Sequence, residues 1–208
     1  MSGFTQIPTE QELNQLPPMA IAVYAVRNAL RIRPLYAPTS HCDSESYAQK
    51  RAIYQVLSLC VEAVSQAVVP SDLLRQQITE AATAADATAE HELAWGRDLT
   101  GRQSAGVAKV IAQAGRAVAA ALGAQLGSNE AKHRNITLAA NLAAEVARQA
   151  AQVVDEVAGR TSFVAAARRD YDQLRRLTGD GNPQNGWSID PESWKELGGV
   201  ASSTPNPD

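Results

Sequence analysis

Apolar residues recur every three or four positions along most of this chain, which is the spacing of one face of an α-helix. The most regular run lies in the second predicted helix and comprises Ile53, Val56, Leu57, Cys60, Val61, Val64, Ala67 and Val68. Alanine, the best helix former, supplies much of the apolar fraction, whereas Val, Ile and Thr form no strand-like alternating runs. The sequence therefore predicts an all-α protein in which helix packs on helix.

Prolines, glycines and capping residues divide this pattern into about six helices. The predicted helices run from Pro17 or Pro18 to Pro34, from Asp43 or Ser44 to Pro70, from Ser71 through Ala89, from about Ser104 to Leu126, from about Glu130 to Ala158, and from Thr161 or Ser162 to Leu177. Mostly short connections favour an antiparallel up-and-down bundle over residues 16–179. Residues 1–15 are predicted to be a flexible N-terminus. Residues 180–208 are predicted to be a Gly/Pro/Asn-rich tail with one short helix.

The segment "WGRDLTGRQS", residues 95–104, is predicted to connect the third helix to the fourth, because two glycines interrupt it. Trp95 is the one large apolar residue at its start, and we expect it to anchor the connector by packing against the bundle.

The stretch "LPPMAIAVYAVRNALRIRPLY", residues 16–36, could be a membrane anchor, a basic arm or a buried helix. Its clean apolar run, residues 19–26, is far shorter than the roughly 20 residues that span a bilayer. A signal peptide would require Lys or Arg before that run, and this chain has none there. A buried helix is therefore predicted, with Arg27 and Arg31 laying their stems on apolar neighbours and keeping their charges in water.

The bulk charge and the cysteine content limit the expected partners and location. A net charge of −3 disfavours a general nucleic-acid binder, which would be basic. The two cysteines are too few for a disulfide framework, and Cys60 fits a small core residue. We expect a cytoplasmic protein that contacts neither nucleic acid nor, in its resting form, a membrane.

Two features predict an interaction surface. Ala82, Ala85 and Ala89 form a stripe of small side chains that suits close packing against another helix. Trp187 and Trp194 lie in the tail within "GWSIDPESWKEL", and tryptophan is favoured at binding hot spots. The tail could dock on a partner as an arm or cover a seam of its own bundle. We expect a protein partner or self-association, and we expect no cofactor.

Metal binding is the chemical alternative. Glu130 and His133 form a Glu-x-x-His pair on one helix face, and His91 is flanked by two glutamates. Helical di-iron sites need a second such pair, which the chain lacks. The sequence has no P-loop, no Gly-x-Ser-x-Gly and no Cys-x-x-Cys, so no catalytic residue is assigned.

Four arginines cluster on the last predicted helix, interrupted by two aspartates. They are Arg168, Arg169, Arg175 and Arg176. The interruption by Asp170 and Asp172 favours intrahelical ion pairs over a phosphate-binding stripe.

Residues 16–36 and the segment "YDQLRRLTGDGNPQNGWSIDPESW", residues 171–194, resemble an all-helical bacterial family without assigned activity. Some members of that family are associated with conflict or defence genes. The resemblance implies a helical bacterial protein and carries over no functional residue. Together, these observations favour a non-enzymatic interaction module, an accessory component of a multi-protein defence-type system. The alternatives are a regulated membrane-perturbing effector and a metal-binding protein or enzyme.

Overall fold

The protein is an all-α bundle, as the sequence predicts. The computed structural model describes residues 6–38, 43–65, 71–95, 99–155 and 160–178. Within these ranges the helices are α1 (Glu10–Leu13), α2 (Pro18–Ile32), α3 (Asp43–Ser65), α4 (Asp72–Trp95), α5 (Leu99–Leu126), α6 (Asn129–Asp155) and α7 (Arg160–Leu177), with a 3₁₀ turn at Arg33–Leu35. Six long helices match the predicted number, and α1 is an additional short one.

Helix α5 is the centre of the bundle because α2, α3, α4 and α6 all pack against it. Glycine makes close contacts of α5 with α3 and α4 possible. A Cβ added at Gly115 would lie 3.0 Å from Val56 Cγ1 on α3 and 3.1 Å from Ala82 Cβ on α4. Within the described residues, α5 is also the one helix long and apolar enough to cross a membrane, and 67% of its most apolar window is buried in the bundle.

Helix α2 is the buried helix that the sequence predicts for residues 16–36. All of its residues except Leu30 and Arg31 are buried. Such all-round burial requires neighbours on every side, and α3, α5, α6 and α7 supply them. Pro17 and Pro18 occupy its start, where a missing N–H costs no hydrogen bond.

Helix α1 falls inside the segment that we expected to be flexible. Thr9 and Glu12 form a reciprocal capping box, in which each side chain accepts the backbone N–H of the other residue. Leu13 and Leu16 are fully buried, and α1 packs against α6. The capping box and these two leucines explain why this part of the N-terminus is ordered, and residues 1–5 lie outside the described ranges.

The connector expected at residues 95–104 is mostly helix. Helix α4 extends to Trp95, and α5 begins at Leu99 rather than near Ser104. Gly101 is helical and buried; a helical glycine costs about 1 kcal/mol, which tertiary packing can offset. Trp95 is 74% exposed, so the expectation that it anchors the connector is wrong.

Candidate functional site

One end of the bundle gathers the start of α3, the end of α4 and the start of α5. His91 stands there between two side chains of α3. Its Nε2 lies 2.7 Å from Glu45 Oε1, and its Nδ1 lies 2.7 Å from Gln49 Nε2. A neutral imidazole satisfies both contacts when Nδ1 accepts from the Gln49 amide and Nε2–H donates to Glu45. Both ring nitrogens are therefore engaged, and neither is open to a substrate.

Trp95 lies one turn after His91 on the same face of α4. The two rings stack with centroids 6.0 Å apart and an interplanar angle of 29°. Since α3 holds His91 through Glu45 and Gln49, the imidazole supports one side of an indole that is otherwise largely in solvent.

Beneath this surface the same end contains buried polar groups. Glu92 is fully buried. The pKa of Tyr36 is raised, first by the burial of Tyr36 itself and second by the charge of the Glu92 carboxylate. The Ser104 hydroxyl accepts the N–H of Ala37 at 3.1 Å and donates to the Ala37 carbonyl. These bonds fasten the chain after the 3₁₀ turn to the start of α5. Apolar periodicity carried no sign of them, because each joins residues far apart in sequence.

The metal candidates are not brought together. A Cβ at Gly123, near the end of α5, would lie 3.3 Å from Arg75 Nη1 and 3.1 Å from Asn135 Nδ2, so α4 and α6 both begin at that end. His91 comes sixteen residues after Arg75, about 24 Å along α4, and so lies far from Glu130 and His133. No group of three metal-ligating side chains occurs within the described ranges.

The alanine stripe is used inside the bundle. Ala82, Ala85 and Ala89 are all buried, and Ala82 lies against Gly115 of α5. The close helix packing that the stripe predicts is therefore made with the chain's own α5, and the stripe is not exposed to a partner. Trp187 and Trp194 lie outside the described residues.

Cys60, predicted to be a core residue, is fully buried. Burial raises the pKa of its thiol to about 12. A thiol with so high a pKa is protonated at neutral pH and is a poor nucleophile.

A second polar cluster joins α2 to α7. Arg27 Nη2 lies 2.9 Å from Asp170 Oδ1, and Arg31 Nη1 lies 2.5 Å from Asp170 Oδ2. Asp170 is 2% exposed and Arg27 is 8% exposed. The expectation that both arginines hold their charges in water is therefore wrong for Arg27. Its position on a helix that is buried on nearly every side leaves its guanidinium no short path to solvent, and Asp170 compensates the charge.

The neighbouring Arg168 connects α7 to α1. Its Nη1 lies 2.7 Å from Glu12 Oε1, and its Nε lies 3.3 Å from Asp172 Oδ1. The ion pair between Arg168 and Asp172 is the kind of intrahelical pair that the sequence predicts. The contact between Arg168 and Glu12 joins two helices and was not predicted from the sequence. Burial raises the pKa of Glu12, but the backbone N–H of Thr9 and the Arg168 guanidinium outweigh it and hold that pKa below its usual value.

Near the His91 end, Tyr47 of α3 is 69% exposed, and Leu93, Trp95 and Leu99 are 60%, 74% and 71% exposed. The last three lie at the corner where α4 ends and α5 begins, hereafter the α4–α5 corner. The sequence signal that could have identified them is register, because Leu93 follows the buried Glu92 and falls off the stripe that faces α5.

Comparison with protein-family models, with curated proteins and with solved structures found no significant match. The structure shows an all-α bundle around a central helix, α5, that is rich in small residues.

Proposed function

We propose that this protein is a non-enzymatic helical module that binds another protein through the α4–α5 corner. The observation that carries the proposal is the exposure of Leu93, Trp95 and Leu99 within seven residues of sequence. Single exposed apolar residues are ordinary on a protein surface, whereas contiguous ones mark interaction sites. Leu93 lies about 200° around α4 from Trp95, so the close pair is Trp95 and Leu99. The three residues separating Trp95 from α5 keep Leu99 within about 15 Å of it.

The support beneath Trp95 favours the same function. An indole is a rigid anchor with only two side-chain torsions, and its usefulness increases when its orientation is fixed before binding. His91 stacks on it and is itself held by Glu45 and Gln49. Glu45, Gln49 and His91 thus orient a hydrophobic contact at this end.

The test is affinity isolation from the native cell with the wild-type protein and two variants. Trp95→Ala should lose the partner, since truncating a central Trp anchor costs about 2 kcal/mol or more, close to a 30-fold loss of affinity. Leu73→Ala is the matched control, because Leu73 is an exposed large apolar residue at the start of α4, the end of that helix away from the corner. Partners that both variants retain, or that only the control loses, would contradict the proposal.

A membrane-perturbing effector is the second candidate, and α5 is the observation in its favour. This function requires α5 to leave four packed neighbours, so it predicts dye leakage from liposomes only after a trigger such as limited proteolysis. Leakage at levels unaffected by Trp95→Ala would favour this candidate over the first.

For the leading candidate, the interaction module, we further propose a place in the bacterial cytoplasm, as an accessory subunit of the defence-type system that the resemblance implies.

A further inference from the structure

The outward side of α3 carries an aromatic and cationic surface that is separate from the α4–α5 corner. Tyr47, Lys50, Arg51 and Tyr54 recur at helical spacing on the side opposite the buried Ile53, Val56 and Cys60. We call these four residues the α3 outer face. Both tyrosines are exposed, and Arg33 of the 3₁₀ turn places its Cζ 5.0 Å from the centre of the Tyr54 ring.

The positive charges of this surface are not compensated nearby. Within the part of the chain that the structure describes, no carboxylate forms an ion pair with Lys50, Arg51 or Arg33. Glu45, the acidic residue closest in sequence, binds His91 instead. Three cations beside two exposed phenol rings therefore form a surface complementary to a segment that is acidic and aromatic.

The chain contains such a segment. Residues 179–208 hold five acidic residues and one lysine, a net charge of −4, whereas the whole chain has a net charge of −3. Within them, residues 187–197, "WSIDPESWKEL", combine three carboxylates with Trp187 and Trp194.

The distance from α7 to the α3 outer face can be bounded through α2. Arg31 near the end of α2 binds Asp170 of α7, and Arg33 just beyond it lies over Tyr54 of α3. The end of α2 thus contacts both helices, so their axes lie within about 20 Å of each other at usual packing distances. Thr178 adds about 12 Å along α7 beyond Asp170. The sixteen residues from Thr178 to Trp194 span up to about 50 Å when extended, which is sufficient.

We propose that residues 187–197 dock on the α3 outer face of their own chain. Their carboxylates pair with Lys50, Arg51 and Arg33, and their indoles pack against Tyr47 and Tyr54. The segment then covers this surface in the free protein, which leaves the α4–α5 corner as the exposed apolar site.

The experiment uses the full chain with Cys42→Ser and a bimane label at Ser58→Cys, an exposed position one turn beyond Tyr54. Tryptophan quenches bimane at contact range, so the pair Trp187→Phe and Trp194→Phe should raise the fluorescence. A label at Thr137→Cys, exposed on α6, is the matched control and should not respond.

Charge reversal tests whether the cations of the α3 outer face bind the carboxylates of residues 187–197. Lys50→Glu with Arg51→Glu should shift the docked-to-free ratio by about tenfold, and adding Asp190→Lys, Glu192→Lys and Glu196→Lys should restore quenching. Unchanged fluorescence at position 58 on removing the tryptophans would overturn the proposal, as would equal quenching at position 137 or failure of the restoring variant. Quenching that rises with protein concentration would assign the segment to a second copy and also overturn docking within one chain.

Discussion

The contact between α4 and α5 and the contact between α2 and α7 stabilise the same bundle by opposite means. The first is made of side chains with almost no volume, and Ala82 meets Gly115 so closely that an added Cβ would lie 3.1 Å away. The second contains a buried carboxylate between two arginines. Close packing tolerates little added volume, whereas a buried ion pair tolerates little lost charge. The two contacts should therefore fail under different substitutions.

The largest effect is expected at Asp170. Asp170→Asn keeps the shape of the side chain but removes the charge that faces Arg27, and breaking a buried pair in this way costs about 3–5 kcal/mol. Urea unfolding followed by circular dichroism would measure the free energy of unfolding. Asp172→Asn, a change to a more exposed carboxylate on the same helix, is the control and should cost less than about 1 kcal/mol.

Replacing both partners sharpens this result. Arg27→Met with Asp170→Leu removes the buried charges together and should recover much of the loss, because well-packed apolar residues can match a buried ion pair. A double variant as unstable as Asp170→Asn would show that packing volume, and not charge, dominates the contact between α2 and α7.

The next effect is expected at Gly115. Gly115→Leu should destabilise the protein by about 1–3 kcal/mol or more, because Val56 and Ala82 close on this position from two different helices. Gly115→Ala is expected near neutrality, since a helix-propensity gain of about 1 kcal/mol opposes the tight contacts. Ala84→Leu on the exposed side of α4 is the control, and the same urea titration measures all three. A Gly115→Leu protein as stable as that control would contradict the close approach.

These two contacts also differ in how far the sequence predicts them. Apolar spacing predicts the long helices and the inward side of α4, because periodicity is local and alanines at 82, 85 and 89 share one face. Spacing cannot predict that Asp170 lies against Arg27, since that pairing depends on which helices become neighbours. The same limit applies to the exposed corner. Because Trp95 is a large apolar residue, its residue type predicts a buried side chain. It is exposed because it is the last residue of α4 and lies off the face that packs on α5.

The smallest effect is expected at Glu12, where α1 meets the same edge of α7. The Thr9 backbone and Arg168 lower its pKa in the folded protein. A lowered folded pKa means that the ionised carboxylate contributes stability above its unfolded pKa, and that this contribution disappears as pH falls through the folded value. Glu12→Gln should therefore cost up to about 1 kcal/mol at neutral pH, and its difference from wild type should shrink in acid below the ordinary glutamate pKa near 4.5.

Glutamine is the informative replacement because it also completes a capping box with Thr9. The variant therefore keeps the cap and removes the ion pair between residue 12 and Arg168. Urea midpoints measured from neutral pH into acid, beside Glu90→Gln on the exposed face of α4, give the pH dependence. If the Glu12→Gln difference were constant across that range, α1 would be held by its cap and by Leu13 and Leu16, and the charged contact would belong only to α2 and α7.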